Sequence, residues 1–285
     1  MSTQTTPERE QPRTSSGWAF RIATIAGIPI RVHFTFLLFL TWIAFVGRSQ
    51  GDLMWPVFVL AIFFCVLLHE LGHALTAKRY GVPTRDITLY PIGGVAMLEK
   101  RTTPIQELWI TLAGPAVNVV IALATGIILI AQNGAVPRLS LLTNDVGFLE
   151  GLFIANVMLA LFNMIPAFPM DGGRVLRAVL ALNMHEAKAT QIAGAIGQAL
   201  AIGIGFYGLF QTNVIWMLIA FFVFLGAGQE VAVTVTRAMM EGHRVRDAMQ
   251  IRFRGIDHGA TLQRAAEMLL EGSQQDFPVF AGDDL

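Results

Sequence analysis

A short run of ionisable residues, His69-Glu70-Leu71-Gly72-His73, lies inside an otherwise apolar segment of the chain. Residues i and i+4 of a helix share one face, so His69 and His73 could bind one zinc ion while Glu70 reaches a water molecule beside it. A zinc-bound water loses its proton more readily, and a carboxylate can accept that proton, so the pattern predicts hydrolysis. The structural alternative is a pair of core histidines with a bundled glutamate. Ionisable side chains are costly in an apolar helix, which favours the functional interpretation.

A catalytic zinc site usually has three protein ligands and one open position, so a third ligand is required. The best candidate is Asp171, in the stretch Pro166-Ala-Phe-Pro-Met-Asp171-Gly-Gly-Arg174. His73 lies five residues before Lys78, about 7 Å of helix rise, and Asp171 lies three residues before Arg174. Both side chains are therefore expected at a similar depth, near the basic ends of their apolar segments. Alternatively, Asp171 could cap the helix that follows it.

Six apolar segments are each long enough to cross a bilayer as a helix, which takes about 20 residues. They cover residues 28–46, 53–77, 107–131, 148–168, 189–210 and 214–236. Of the 285 residues, 54% are hydrophobic and only 14% are charged, which is typical of a membrane protein. The formal net charge is zero, so there is no basic excess to indicate nucleic-acid binding. The predicted fold class is all-α and polytopic, with about six transmembrane helices.

Basic residues alternate between the segments that connect these spans. They cluster before the first span and after the second, fourth and last, whereas each of the other connections holds at most one. Basic residues are retained on the cytoplasmic side, so both termini are predicted to be cytoplasmic in a multi-pass protein of the cell membrane. The same orientation places His73 and Asp171 in the cytoplasmic third of the bilayer.

Three regions outside the spans complete the predicted organisation. Residues 1–17 are polar and rich in Thr, Ser, Pro and Arg, and are predicted to be a disordered tail. The membrane domain is predicted to cover residues 18–240. Within it, residues 84–101 alternate around Gly93-Gly94 and predict two short strands in a hairpin. Residues 241–285 have the composition of a soluble protein, with an amphipathic helix at 261–270 and a strand at 277–280.

The ordered set of motifs resembles the site-2 protease family of intramembrane metalloproteases. The resemblance is carried by the apolar His-Glu-x-x-His run, the Gly-Gly hairpin, the Thr111–Asn118 stretch and the later Pro-Met-Asp-Gly-Gly run. It implies one zinc ion per chain, bound by His69, His73 and Asp171, with Glu70 as the general base.

The resemblance also implies three residues or pairs that contact substrate. Asn163 would position the substrate, although a hydrogen bond between helices would explain it equally well. Gly93 and Gly94 would lie at a sheet edge that offers backbone partners to an extended peptide, and a plain turn is the alternative. Asn118 is the third candidate, for which a structural role is the preferred interpretation.

Together these observations predict a zinc metalloprotease that cuts transmembrane proteins or peptides near the cytoplasmic side of the bilayer. A channel or metal transporter is the alternative, supported by intramembrane charges such as Glu230 and by the glycine-rich fifth span. That alternative does not explain a glutamate between two histidines at i and i+4. A catalytically inactive scaffold is disfavoured, because every residue the reaction needs is present. The sequence leaves homodimer formation open.

The C-terminal segment resembles the opening of a cystathionine-β-synthase-type (CBS) regulatory domain, through Val245-Arg-Asp-Ala-Met249, Thr261-Leu and Phe277-Pro-Val279. The resemblance implies that adenine nucleotides bind between two complete halves of such domains, and residues 241–285 supply only part of one half. So short a segment buries too little apolar surface to be stable alone. It is expected to be mobile or to pack weakly, and not to bind adenine nucleotides.

Overall fold

The computed structural model describes residues 18–91, 93–98, 102–133, 147–240, 244, 253–272, 274 and 276–280. The chain divides into two compact units, Met1–Val235 and Thr236–Leu285. The predicted N-terminal tail lies outside the described residues, as does the Val245–Met249 motif.

Before residue 241, the described chain forms seven helices and a four-stranded sheet. In chain order the elements are β1 (Ala19–Ile25), β2 (Ile28–His33), α1 (Phe34–Gln50), α2 (Met54–Arg79), β3 (Thr84–Tyr90), β4 (Gly93–Leu98), α3 (Pro104–Asn133), α4 (Phe148–Asn163), α5 (Asp171–Ala181), α6 (Glu186–Phe210) and α7 (Val214–Met240).

Four helices in the described part of the chain, α2, α3, α6 and α7, are long and apolar enough to cross a membrane. Helices α1 and α4 are also apolar, but they have only 17 and 16 residues. The prediction of a helical, multi-pass membrane protein is confirmed, and the number of six spans stays a prediction.

The first predicted span, residues 28–46, begins too early. Ile28–His33 forms strand β2, and helix α1 starts only at Phe34. Alternate side chains of this strand are buried, at Ile28, Ile30 and Val32. That period of two is typical of a strand, but a long apolar window averages over it. The Nδ1 atom of His33 accepts a hydrogen bond from the Thr35 backbone N–H at 3.4 Å, which caps α1.

The sheet has the order β1-β2-β3-β4, with a parallel β2–β3 pair between two antiparallel pairs. Strands β3 and β4 form the predicted hairpin. Gly93 and Gly94 lie in β4, paired with Tyr90 and Leu89, and are not a plain turn. Strand β4 is the last in the order of the described sheet. Ile87 of β3 packs in a buried cluster with Leu71 and Ala74 of α2, so the sheet lies directly against the His-Glu-x-x-His segment.

An ion-pair cluster joins helices α3, α5 and α7. Arg177 of α5 donates from Nε to Glu107 Oε1 of α3 at 3.0 Å, and from Nη1 to Glu230 Oε1 of α7 at 2.7 Å. The Arg177 guanidinium also lies over the Phe168 ring, 5.3 Å from its centroid. Glu230, which is unusual in an apolar span, therefore faces the bundle. Because α5 begins at Asp171, the cluster holds the helix that carries the proposed third ligand.

The described part of the second unit contains β5 (Ile256–Asp257), α8 (Leu262–Glu271) and β6 (Val279–Phe280), with β5 and β6 paired in parallel. Thr261 caps α8 by accepting a hydrogen bond from the Arg264 backbone N–H at 3.3 Å. The predicted amphipathic helix is confirmed, and the predicted strand at 277–280 is present only at Val279–Phe280. The likeness to a CBS domain stays a prediction.

Candidate metal centre

The two histidines and the aspartate predicted as ligands converge on one point. His69 Nε2, His73 Nε2 and Asp171 Oδ2 lie between 3.0 and 3.2 Å from one another. All three side chains are buried. The histidines come from successive turns of α2, and Asp171 is the first residue of α5. Within the described residues, this is the group of three candidate ligands close enough to hold a metal ion.

The hydrogen bonds behind the rings show that this group fits zinc. His73 Nδ1 is 2.7 Å from the Ile110 carbonyl oxygen, and His69 Nδ1 is 2.6 Å from Asn118 Oδ1. Both oxygens only accept, so each Nδ1 carries a hydrogen and each Nε2 presents its lone pair toward Asp171. Two imidazole lone pairs and a carboxylate at such separations repel one another unless a cation lies between them. Two nitrogens and one oxygen are a ligand set typical of catalytic zinc.

The glycines after Asp171 allow the preceding loop to close over the start of α5. A Cβ atom on Gly173 would lie 2.5 Å from the Phe168 backbone nitrogen, and one on Gly172 would overlap the Ile165 carbonyl oxygen. The peptide bond between Phe168 and Pro169 is cis. The N-cap of α5 is Met170, and no side chain caps the helix. The capping alternative for Asp171 is therefore wrong, because its carboxylate contacts the histidines instead.

Close approach of α3 to α2 brings hydrogen-bond acceptors to the back of both rings. A Cβ atom on Gly72 of α2 would lie 2.8 Å from the Ala113 carbonyl oxygen. One on Gly114 of α3 would lie 2.7 Å from His69 Nε2 and would also overlap the His73 ring. Only glycine fits at both positions, and the resulting contact places Asn118 and the Ile110 carbonyl beside the histidines.

A cavity of about 700 Å³ opens onto the three converging donor atoms. Every residue predicted for the site lines it: His69, Glu70, His73, Gly93, Gly94, Asn118, Asn163 and Asp171. Apolar side chains of α4 and α7 form much of the remaining wall, including Leu159, Phe162, Ile219, Phe222 and Val223. Arg174, one turn after Asp171, also lines the cavity.

Glu70 is in contact with the edge strand of the sheet. It is half-buried, and a Cβ atom on Gly94 would lie 2.6 Å from Glu70 Cγ and 3.3 Å from Oε1. Gly94 therefore leaves the room that the Glu70 carboxylate occupies beside the three candidate ligands. The same contact brings the β4 backbone next to the predicted general base.

Replacing Gly94 with alanine should lower the rate of peptide hydrolysis while zinc stays bound. The added methyl group forces Glu70 out of its position, and a small displacement of a catalytic group can cost about 100-fold in rate. Gly203→Ala in α6 is the control, because a Cβ atom there would meet nothing within 4 Å in the described structure. Turnover and zinc content of both variants check the prediction; wild-type turnover in Gly94→Ala would contradict it.

The two asparagines predicted as substrate contacts have different surroundings. Asn163 Nδ2 donates to the Leu159 carbonyl oxygen within α4 at 3.0 Å, and the described residues show no bond from it to another helix. Asn118 links helices, as the structural interpretation required, but its partner in α2 is His69. Its other partner is Asn156 of α4, at 2.9 Å, a residue that was not among those predicted for the site. The available signal was an asparagine inside an apolar span.

Comparison with known proteins identifies the family of this chain. The family model of Peptidase family M50 matches residues 57–150 and 125–204. A zinc metalloprotease of Methanocaldococcus jannaschii is 37% identical over 262 residues, which is 92% of this chain and 75% of the relative. The chain belongs to Peptidase family M50. A second relative, from Synechocystis sp., is 32% identical over 249 residues, which is 80% of this chain and 64% of that relative.

A solved structure agrees with the fold of this M50 chain. The site-2 protease from Methanocaldococcus jannaschii has a TM-score of 0.56 and 42% sequence identity, covering 75% of this chain and 95% of the solved one. The resemblance to site-2 proteases is thereby confirmed, and the chain is a zinc metalloprotease. The channel or transporter alternative does not account for this membership.

Proposed function

We propose that this M50 chain hydrolyses peptide bonds of transmembrane proteins near the cytoplasmic side of the bilayer, with Glu70 as general base and His69, His73 and Asp171 as the zinc ligands. The observation that carries the proposal is the convergence of three buried donor atoms in one cavity with Glu70. The apolar walls from α4 and α7 suit a substrate segment that leaves the lipid phase.

The chemistry requires few groups. When bound, zinc acts as a Lewis acid that lowers the pKa of water and stabilises negative charge on the substrate carbonyl oxygen. Glu70 accepts a proton from the water while the water oxygen bonds to the substrate carbonyl carbon. The π electrons of that carbonyl group move to its own oxygen. Glu70 then donates that proton to the amide nitrogen as the C–N bond breaks. The products are a carboxyl end and an amine end, and Glu70 returns to its starting state.

The substrate must be extended before it is cut. A transmembrane helix satisfies its carbonyl groups internally, so unwinding it in a membrane leaves backbone groups without partners. Pairing with the edge strand β4 at Gly93 and Gly94 would restore some of these hydrogen bonds. The same pairing would place the scissile carbonyl beside Glu70, which contacts Gly94. Asn163 lines the same cavity and is the remaining candidate for holding the extended segment.

Helices α1 and α4 complete six spans in this proposal. Their 17 and 16 residues rise about 25 Å each, and a span somewhat shorter than the hydrocarbon core is accommodated by local thinning of the bilayer. The alternation of basic residues puts both termini in the cytoplasm, so the metal centre faces that side.

Mapping the cleavage site tests the proposed function. The purified chain, reconstituted in liposomes with a single-span substrate of fixed orientation, should cut within the cytoplasmic third of the span. Mass spectrometry of the two fragments locates the cut, and liposomes without the protease are the control. Cleavage confined to the opposite end of the span, or only in soluble loops, would contradict the proposed depth and orientation.

The C-terminal segment is not expected to bind nucleotide in this chain. In the CBS resemblance, adenine nucleotides would need a cleft between two complete halves, and the elements described after residue 241 are β5, α8 and β6. Calorimetry with ATP and AMP should show no stoichiometric binding at micromolar concentration. Such binding would favour a homodimer that completes the cleft. Removal of residues 241–285 should leave zinc content unchanged, because all proposed ligands lie before residue 172.

A further inference from the structure

The two ligand histidines differ in what holds their Nδ1 atoms. His73 Nδ1 donates to the backbone carbonyl of Ile110, whose oxygen cannot exchange places with a donor. His69 Nδ1 faces the side-chain amide of Asn118. A rotated amide would present its NH2 group, and His69 would then place its hydrogen on Nε2 and lose the lone pair that faces Asp171. The orientation of one buried amide therefore decides whether His69 can be a ligand.

A chain of hydrogen bonds fixes that orientation. Asn156 Nδ2 donates to the Leu152 carbonyl oxygen at 2.9 Å, and this oxygen can only accept. Asn156 Oδ1 must then face Asn118, whose Nδ2 donates to it at 2.9 Å. Asn118 Oδ1 is left to accept from His69 Nδ1 at 2.6 Å. Both asparagines have no exposed surface, so water cannot replace a missing partner.

We propose that Asn156 is a positioning residue of the metal centre: through Asn118 it holds His69 in the Nδ1–H tautomer, which leaves Nε2 available to zinc. The inference rests on the proposed function, because it takes His69 to be a zinc ligand. Asn156 Nδ2 also donates to Cys65 Sγ of α2 at 3.4 Å, a contact that holds the amide in the same orientation. Of the three proposed ligands only His69 is reached by this network, and it is reached through Asn118.

A purely structural role makes a different prediction. If the two asparagines only join α2, α3 and α4, then removing Asn156 weakens packing and affects zinc no more than any comparable loss of stability. An aspartate at position 118 separates the two roles. Both oxygens of a carboxylate accept, so Asn118→Asp presents an acceptor to His69 in either orientation. When Asn118→Asp is combined with Asn156→Leu, one carboxylate oxygen at position 118 stays buried without a partner, which lowers stability further. The other oxygen still accepts from His69 Nδ1, so the Nδ1–H tautomer of His69 is restored.

The experiment measures zinc affinity of the full chain in detergent, by competition with a chromophoric chelator after metal removal. Asn156→Leu should bind zinc about 10- to 100-fold more weakly than wild type, the range for loss of a partner that orients a ligand histidine. The double variant Asn118→Asp/Asn156→Leu should recover most of that affinity while its Tm falls. Thr125→Val is the matched control. It removes a buried hydroxyl seven residues from Asn118 on α3, whose hydrogen bonds in the described structure lie within that helix, and it should leave zinc affinity unchanged.

Two results would overturn the proposal: wild-type zinc affinity in folded Asn156→Leu, or a double variant that binds as weakly as the single one. His69→Ala distinguishes a failure of the positioning role of Asn156 from a failure of the proposed ligand set. Loss of zinc in His69→Ala but not in Asn156→Leu rejects the positioning role alone, whereas unchanged zinc in His69→Ala rejects the ligand set as well. If Asn156→Leu does not fold, ¹⁵N spectra of metal-free wild type decide, with the His69 signals assigned by substitution. The Nδ1–H tautomer supports the proposal and the Nε2–H tautomer rejects it.

Discussion

Glu70→Gln should abolish proteolysis while zinc stays bound. Glutamine keeps the shape of the side chain beside Gly94, but its amide cannot accept a proton from water. General acid–base catalysis contributes about 100- to 10,000-fold in rate, so the remaining turnover should be at most about a hundredth of wild type. A co-expressed transmembrane substrate, followed by the appearance of its fragments, measures the loss.

Two comparisons make the Glu70 experiment decisive. Zinc content must match that of wild type, because Glu70 is not among the three converging ligands. Glu271→Gln is the control for the same chemical change at an exposed glutamate of α8, and it should cleave normally. Turnover of Glu70→Gln within about tenfold of wild type would be too high for a missing general base, and the assignment would be wrong.

Asp171→Ala should lose both zinc and activity. The carboxylate supplies one of three donor atoms, and its removal leaves two histidine nitrogens for an ion that usually takes three protein ligands. Zinc per chain, measured by mass spectrometry of the purified protein, should fall well below one. His69→Ala and His73→Ala should behave in the same way, because the three donors act as one set.

Asp52→Ala is a matched control for the loss of an aspartate that supports α2. Asp52 Oδ1 accepts hydrogen bonds from the Met54 and Trp55 backbone N–H groups at the start of that helix, far along it from His69. Its removal should cost some stability and no zinc. Full zinc and full activity in Asp171→Ala would mean that the third ligand lies elsewhere, and the matching depth of His73 and Asp171 would be a coincidence.

The three candidate ligands could be picked out from the sequence because their spacing carries the chemistry, and the structure brings them together. His69 and His73 must share a helix face, and a charged residue at such a position in an apolar segment is conspicuous. Asp171 was selected from its distance to Arg174, a length argument that needs no knowledge of packing. The structure adds that Asp171 begins a separate helix, whose Gly172 and Gly173 lie in close contact with the backbone of residues 164–168.

Other parts of the site could not be predicted, because tertiary packing alone creates them. Asn156 bonds to Asn118 across 38 residues of sequence, and a single asparagine in an apolar span has no periodic pattern that reveals its partner. Glu230 was conspicuous for the same reason as the histidines, but its pairing with Arg177 depends on how α5 and α7 pack. Strand β2 was hidden because its buried residues extend an apolar run that continues into α1.

X-ray absorption at the zinc K-edge of the purified wild-type chain tests the central claim most directly. We expect one zinc ion per chain with only nitrogen and oxygen neighbours, two of them imidazoles recognisable by scattering from the outer atoms of their rings. The same spectrum of Glu70→Gln should keep both imidazoles. A sulfur neighbour, which in this chain would have to come from Cys65 or a methionine, or a zinc ion without two imidazoles, would contradict it.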